Sequence, residues 1–105
     1  AHGKLLNAGQ TCIAPDYVLL PRGREAAFAE AFRAAVAKLF PRIAGNPDYA
    51  SIISPRHLAR LRTMLQQAQT QGADVQTMDP APGSQPDPSA AVQDGGTSRQ
   101  MAPVL

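Results

Sequence analysis

The residue best suited to chemistry in this 105-residue sequence is Cys12, the single cysteine of the chain. A thiolate is a nucleophile, whereas a lone cysteine can neither close a disulfide within the chain nor supply a set of metal ligands. Cys12 follows Gly9, Gln10 and Thr11 in a stretch without apolar periodicity, which predicts a loop over residues 9–16. Spacing alone leaves two interpretations open: a nucleophile displayed on a loop, or an inert buried thiol.

No neighbouring residue supplies the base that would activate this thiol. His2 lies upstream of Cys12, and His57 lies at the start of a distant predicted helix. A thiol hydrolase or transferase would need one of these histidines within hydrogen-bond reach of the sulfur. A non-enzymatic interaction module is a second alternative, based on a Pro-rich loop and a basic helix start. That basic patch is more typical of a solvated helix face, because no aromatic residues alternate with its members Arg56, His57, Arg60 and Arg62.

Two helices are predicted to position this loop. Residues 24–40 carry an apolar stripe of helical period and are ended by Pro41. Ser54 as N-cap and Pro55 at the first helical position predict the start of a second helix, and Gly72 predicts its end. The stripe of the first helix consists of Phe28, Phe32, Ala35, Val36 and Leu39.

The remaining segments predict an α/β arrangement. Residues 1–8 are expected to be helical, and short apolar runs predict strands at 17–20, around Val75 and at 101–105. Pro, Gly, Ser, Asp and Gln dominate residues 79–98, which predicts a mobile surface loop. We therefore expect the two main helices to pack on a few mostly parallel strands within one partial catalytic domain, residues 1–105.

Composition narrows the classes of partner. The net charge of +2 is small and spread along the chain, so nucleic acid is not expected as a partner. No apolar run reaches the roughly 20 residues that span a bilayer, so no membrane partner is expected either. A lone cysteine suits the reducing cytoplasm, and neither His2 nor His57 lies at metal-ligand spacing from other ligands.

The two ends carry no helix or strand boundary signal, so the chain is expected to be an excised segment. Cutting strands and helices from a larger sheet leaves edges unpaired and apolar faces bare. Such edges pair with another copy, and we therefore expect a homo-oligomer.

One string around Cys12 resembles a known family. Residues 7–19, which include Asn-Ala-Gly-Gln-Thr-Cys and continue as Ile-Ala-Pro-Asp-Tyr-Val-Leu, are similar to the nucleophile loop of the aldehyde dehydrogenase superfamily. The continuation looks like the branch of the class 3, fatty-aldehyde and coniferyl-aldehyde enzymes. Residues 46–61 and 99–105 resemble downstream segments of the same branch. The resemblance covers nearly the whole chain except residues 79–98.

The resemblance implies a function and a site. A cysteine thiolate would attack the aldehyde to give a thiohemiacetal, hydride would pass to NAD or NADP, and the resulting thioester would hydrolyse to the acid. By position, Cys12 is the nucleophile, with its backbone N–H holding the oxyanion. Asn7, Gly9, Gln10 and Thr11 match positions that shape the loop.

The resemblance also indicates what this segment does not contain. The family's general-base glutamate, oxyanion asparagine and dinucleotide-binding domain lie upstream of the nucleophile loop, and the glutamate that holds the nicotinamide ribose lies downstream. No cofactor-binding residue and no bound cofactor is therefore expected in these 105 residues, and no metal. The chain by itself is predicted to have no dehydrogenase activity.

Overall fold

The computed structural model describes residues 1–80 and 99–105. Within them lie the short helix α1 (His2–Leu5), a 3₁₀ turn (Leu6–Gly9) and the two main helices, α2 (Glu25–Leu39) and α3 (Pro55–Thr70). None of these helices is long and apolar enough to cross a membrane. The predicted loop at 79–98 lies outside the described residues except for Asp79 and Pro80, and Asp79 is buried beside the fully buried Met78.

The predicted helix over residues 1–8 is wrong beyond Leu5. Asn7 and Ala8 have left-handed backbone angles, with φ of 50° and 53°, and Gly9 follows at 77°. A right-handed helix cannot continue through such residues. The chain therefore turns sharply five residues before Cys12 and enters the loop from a fixed direction.

Helix α2 forms because its apolar residues recur with helical period. Ala29, Phe32 and Val36 are buried, and the charges at its ends suit the helix dipole, with Glu25 in the first turn and Lys38 in the last. The predicted stripe is confirmed at Phe32 and Val36, while Leu39 at its end is 43% exposed. Phe40 adopts an extended conformation ahead of Pro41, which ends the helix.

Helix α3 begins and ends as predicted. The Ser54 hydroxyl accepts a hydrogen bond from the His57 N–H at 3.2 Å, and Pro55 occupies the first helical position. Gly72, with φ of 89°, follows the last turn. Only Leu58 of this helix is buried, so α3 lies at the edge of the core.

The prediction of mostly parallel strands is not met in the described residues. They contain no strand, and the pairing they do show, an isolated bridge between Thr77 and Val104, is antiparallel. Flanking backbone hydrogen bonds join Gln76 to Leu105 in both directions and the Met78 N–H to the Pro103 carbonyl. Residues 17–20 form neither helix nor strand and have no ladder partner within the described chain, and a strand forms only where a second segment lies beside it.

The core lies between α2 and the segments that connect α3 to it. Tyr49 packs its ring edge against Phe40, with ring centroids 5.1 Å apart, and its hydroxyl donates to the Met101 carbonyl at 3.0 Å. Burial raises the pKa of Tyr49 to about 12, so its hydroxyl keeps this proton throughout the neutral pH range. The buried members of the core are Leu5, Ala29, Phe32, Val36, Ile43, Tyr49 and Met78.

Candidate active site

Cys12 lies exposed on the loop that follows the 3₁₀ turn. The Ala14 N–H donates to the Thr11 carbonyl at 3.0 Å, which closes a tight turn around Cys12 and Ile13. The Cys12 N–H donates no hydrogen bond to the described residues. The interpretation as a buried thiol is therefore wrong, because Cys12 is exposed.

Three successive left-handed residues set the direction of this loop. Asn7, Ala8 and Gly9 all have positive φ, and the Gln10 N–H closes the turn on the Asn7 carbonyl at 3.1 Å. A Cβ on Gly9 would lie 3.2 Å from the Lys4 carbonyl oxygen, at the C-terminal end of α1. Glycine is therefore required at position 9 both by its backbone angle and by the close approach of the preceding helix.

The substitution Gly9→Ala should lower the free energy of unfolding by about 2 kcal/mol, because the left-handed backbone and the crowding against Lys4 both oppose a methyl group. Gly23→Ala is the matched control, since Gly23 has a similar φ of 80° but no atom lies within 4 Å of the place that its Cβ would take. Gly23→Ala should lower the free energy of unfolding by only about 1 kcal/mol, because the left-handed backbone alone opposes its methyl group. Urea unfolding of both variants measures the difference, and equal costs would show that the contact with Lys4 contributes nothing.

The side chain of Gln10 holds the loop against a distant segment. Its Nε2 donates to the carbonyls of Asn7 and Ser51, at 2.9 and 3.1 Å, and its Oε1 accepts from the Ile53 N–H at 2.8 Å. Gln10 is two residues from Cys12, so these bonds set where the thiol lies relative to the start of α3. Sequence spacing could not reveal this, because residues 10 and 51 are 41 positions apart.

The other predicted loop residues contribute in different ways. Asn7 acts through its backbone carbonyl, and its side chain makes no hydrogen bond with the described residues. The Thr11 hydroxyl oxygen is buried and has no hydrogen-bond partner there. Asn7, Gly9 and Gln10 therefore lie on the turn that directly precedes the turn of Thr11 and Cys12, and of the four predicted residues Gln10 alone hydrogen-bonds through its side chain to a distant segment of the described chain.

A second glutamine, Gln100, anchors the segment of residues 99–105. Gln100 donates from Nε2 to the carbonyls of Asn46 and Tyr49, and its Oε1 accepts from the Gly45 N–H at 2.7 Å. The Asn46 side chain in turn accepts from the Asp48 N–H at 2.9 Å and so shapes the turn. Residues 99–105, identified in the sequence only as a strand entry, are thus fastened to the turn at 45–49.

Neither histidine assists Cys12. No hydrogen bond joins the Cys12 sulfur to His2 or His57. A cavity of about 600 Å³ lies behind the nucleophile turn and includes His57 in its wall, but Cys12 does not line it. Among the described residues no three His, Cys, Asp or Glu side chains form a group that could hold a metal.

Comparison with known sequences shows the family of the chain. Residues 1–93 match the sequence model of the aldehyde dehydrogenase family. A probable coniferyl aldehyde dehydrogenase of Pseudomonas aeruginosa is 52% identical over 75 residues, which cover 71% of this chain and 16% of that protein. A coniferyl aldehyde dehydrogenase of a Pseudomonas species is 40% identical over 102 residues, which cover 97% of this chain and 20% of that protein.

A member of aldehyde dehydrogenase family 3 matches as well. The mouse aldehyde dehydrogenase family 3 member A2 is 39% identical over 66 residues, covering 62% of this chain and 14% of that protein. The chain therefore spans a fifth or less of the length of these relatives. No solved structure matches it.

Proposed function

The chain belongs to the aldehyde dehydrogenase family, and from this membership we propose that the full-length protein containing it oxidises an aldehyde to a carboxylic acid with Cys12 as nucleophile. The observation that carries the proposal is the exposure of Cys12 on a turn held by Gln10. An exposed thiol on a braced turn can reach a substrate and keeps its direction while it reacts.

The first proposed step begins once a base from outside this segment has taken the proton of the Cys12 thiol. The Cys12 thiolate attacks the aldehyde carbon, a C–S bond forms, and the π electron pair of the carbonyl moves onto its oxygen. The Cys12 N–H, which donates to none of the described residues, is proposed to donate to that oxyanion. The product of the step is a thiohemiacetal anion attached to Cys12.

The full proposed reaction is NAD(P)-dependent and passes through the thiohemiacetal and a thioester, with NAD or NADP supplying the hydride acceptor. The described residues do not fit that cofactor. The first turn of α2 carries Glu25, which would repel a pyrophosphate, and the N-terminus of α3 is already capped by Ser54. The contribution of this segment is therefore the nucleophile and its supports, and the 105-residue chain alone is proposed to be inactive.

An aromatic aldehyde of the coniferyl type is the proposed substrate. The support comes from the names of relatives in Pseudomonas aeruginosa, in Caulobacter vibrioides and in a further Pseudomonas species. The Caulobacter protein, a probable coniferyl aldehyde dehydrogenase, is 45% identical over 80 residues.

The rival Cys/His hydrolase or transferase lacks the contact that it requires, since neither His2 nor His57 hydrogen-bonds to the sulfur. A purely non-enzymatic module gives no reason for the exposed thiol of Cys12 on a braced turn. The aldehyde dehydrogenase proposal accounts for both the turn and the thiol.

We also propose that residues 1–105 are part of one catalytic domain in a cytoplasmic homo-oligomer. The segment at 17–20 supports association, because Tyr17 and Leu19 are 79% and 86% exposed and the backbone there has no partner in the described chain. In the full-length protein this segment would pair with another strand and give the α/β sheet predicted from the sequence.

Trapping the covalent intermediate tests the proposal. The full-length protein is mixed with an aromatic aldehyde and NAD(P), quenched in acid during the first turnovers and digested. We expect the peptide that contains Cys12 to gain the mass of the acyl group, and hydroxylamine to remove it, as for a thioester. A reaction without NAD(P) is the control and should show no acyl group. Acyl transfer to any other residue would contradict the assignment.

A further inference from the structure

The backbone of residues 51–53 is held from two opposite sides. On one side, the Ser51 carbonyl and the Ile53 N–H bond to the side chain of Gln10. On the other side, the Ile52 N–H donates to the Arg99 carbonyl at 2.9 Å, and the Ile52 carbonyl accepts from Arg99 Nε at 2.8 Å. In extended backbone the polar groups of successive residues alternate in direction, so each side of this segment serves one partner.

Each partner supplies a donor and an acceptor, as a neighbouring strand does. Gln10 does so with its side-chain amide, and Arg99 with its own carbonyl and its Nε. Residues 51–53 therefore lie between two single residues, Gln10 on one side and Arg99 on the other, and hydrogen-bond to both. Displacement of Ile52 on one side must move the groups that Gln10 binds on the other.

The far side of this arrangement is well anchored. Gln100, next to Arg99, is bonded to the turn at 45–49, and the Met101 carbonyl accepts the Tyr49 hydroxyl. The antiparallel bridge at Val104 fastens the other end of the segment. The position of Arg99 is therefore fixed by the bonds of its neighbours. Residues 51–53, by contrast, lie in a connector without helix or strand.

We propose that Arg99 is a positioning residue for Cys12, acting through Ile52 and Gln10. Its Nε–H holds the connector in the register that lets Gln10 bind both Ser51 and Ile53, and Gln10 then holds the turn that presents the thiol. The catalytic consequence rests on the proposed function, while the coupling itself is a property of the fold.

Two substitutions separate the hydrogen bond from the charge of Arg99. Arg99→Met keeps the side chain as far as this position and places a methyl group where Nε donates. Arg99→Gln loses the charge but carries an amide nitrogen at the same distance along the side chain, so it can donate to the Ile52 carbonyl. Arg33→Met, at an exposed position on α2, is the matched control.

The experiment measures amide hydrogen exchange and steady-state kinetics in the full-length protein. For Arg99→Met we expect exchange at the hydrogen-bonded amides of Ile53, of Gln10 and of Ala14 in the Cys12 turn to become about five- to tenfold faster. We also expect kcat to fall about tenfold with KM changed less than twofold, because the thiol is misplaced after the substrate has bound. Arg99→Gln and Arg33→Met should match the wild type in both measurements.

Three results would overturn the proposal: unchanged exchange at the Cys12 turn in Arg99→Met, unchanged kcat in that variant, or an Arg99→Gln protein as impaired as Arg99→Met. If Arg99→Met loses its helical circular dichroism, exchange is measured in the variant Gln10→Ala instead. Coupling is reciprocal, so exchange at Ile52 must then rise together with that at Ile53. A wild-type protein that oxidises no aldehyde would contradict the proposed function, and the exchange measurements would still decide the coupling.

Discussion

Replacement of Cys12 by serine should lower kcat for aldehyde oxidation in the full-length protein by at least about a thousandfold. A serine hydroxyl is almost entirely protonated at neutral pH and is a far weaker nucleophile than a thiolate. The side chain of Cys12 is exposed and makes no hydrogen bond with the described residues, so the change should leave the stability of the protein within about 0.5 kcal/mol. Loss of activity can therefore be assigned to chemistry, with urea unfolding as the check.

Two comparisons complete this experiment. Ile13→Val alters the next exposed residue of the same turn without touching the thiol, and it should keep nearly all activity. The 105-residue chain with its native Cys12 should show no NAD(P)-dependent oxidation of an aromatic aldehyde, since its described residues offer neither a base to the thiol nor a cofactor site. Full activity of Cys12→Ser, or turnover by the short chain, would overturn the assignment.

The substitution Gln10→Glu should lower kcat by about ten- to a hundredfold, although it changes only an amide to a carboxylate. Gln10 Nε2 donates to the carbonyls of both Asn7 and Ser51. A carboxylate cannot donate and would place a negative charge against those two oxygens, so the turn would move away from the connector. The bond from the Ile53 N–H can survive, because a carboxylate oxygen still accepts.

The control for this change is Gln69→Glu on the exposed surface of α3, where the side chain makes no hydrogen bond with the described part of the chain. It adds the same charge and should leave kcat unchanged. Hydrogen exchange should be faster at the Cys12 turn in Gln10→Glu and unchanged in Gln69→Glu. Wild-type kcat in a folded Gln10→Glu protein would show that the bridge to Ser51 does not position the nucleophile.

The helices could be predicted because local chemistry decides them. The Ser54 cap, Pro55 and Gly72 bound α3 through groups within a few residues of each other, and the stripe on α2 follows from its period. The helix over residues 1–8 failed at Asn7 and Ala8, which have left-handed angles; asparagine enters that region more readily than most residues, but alanine does not. Of the predicted strands, residues 17–20 have no partner segment in the described chain, and the segments around Val75 and at 101–105 meet in one isolated antiparallel bridge between Thr77 and Val104.

The sequence by itself determined the family, the nucleophile candidate Cys12 and the turn that carries it, because these depend on residue types at short, fixed spacing. Only the tertiary structure decided that Cys12 is exposed, that the Gln10 side chain bonds to Ser51 and that Arg99 bonds to Ile52. Those contacts join residues 41 to 47 positions apart through backbone carbonyls and N–H groups. Every residue type except proline offers both of these backbone groups, so no pattern of side chains could have indicated which ones Gln10 and Arg99 would bind.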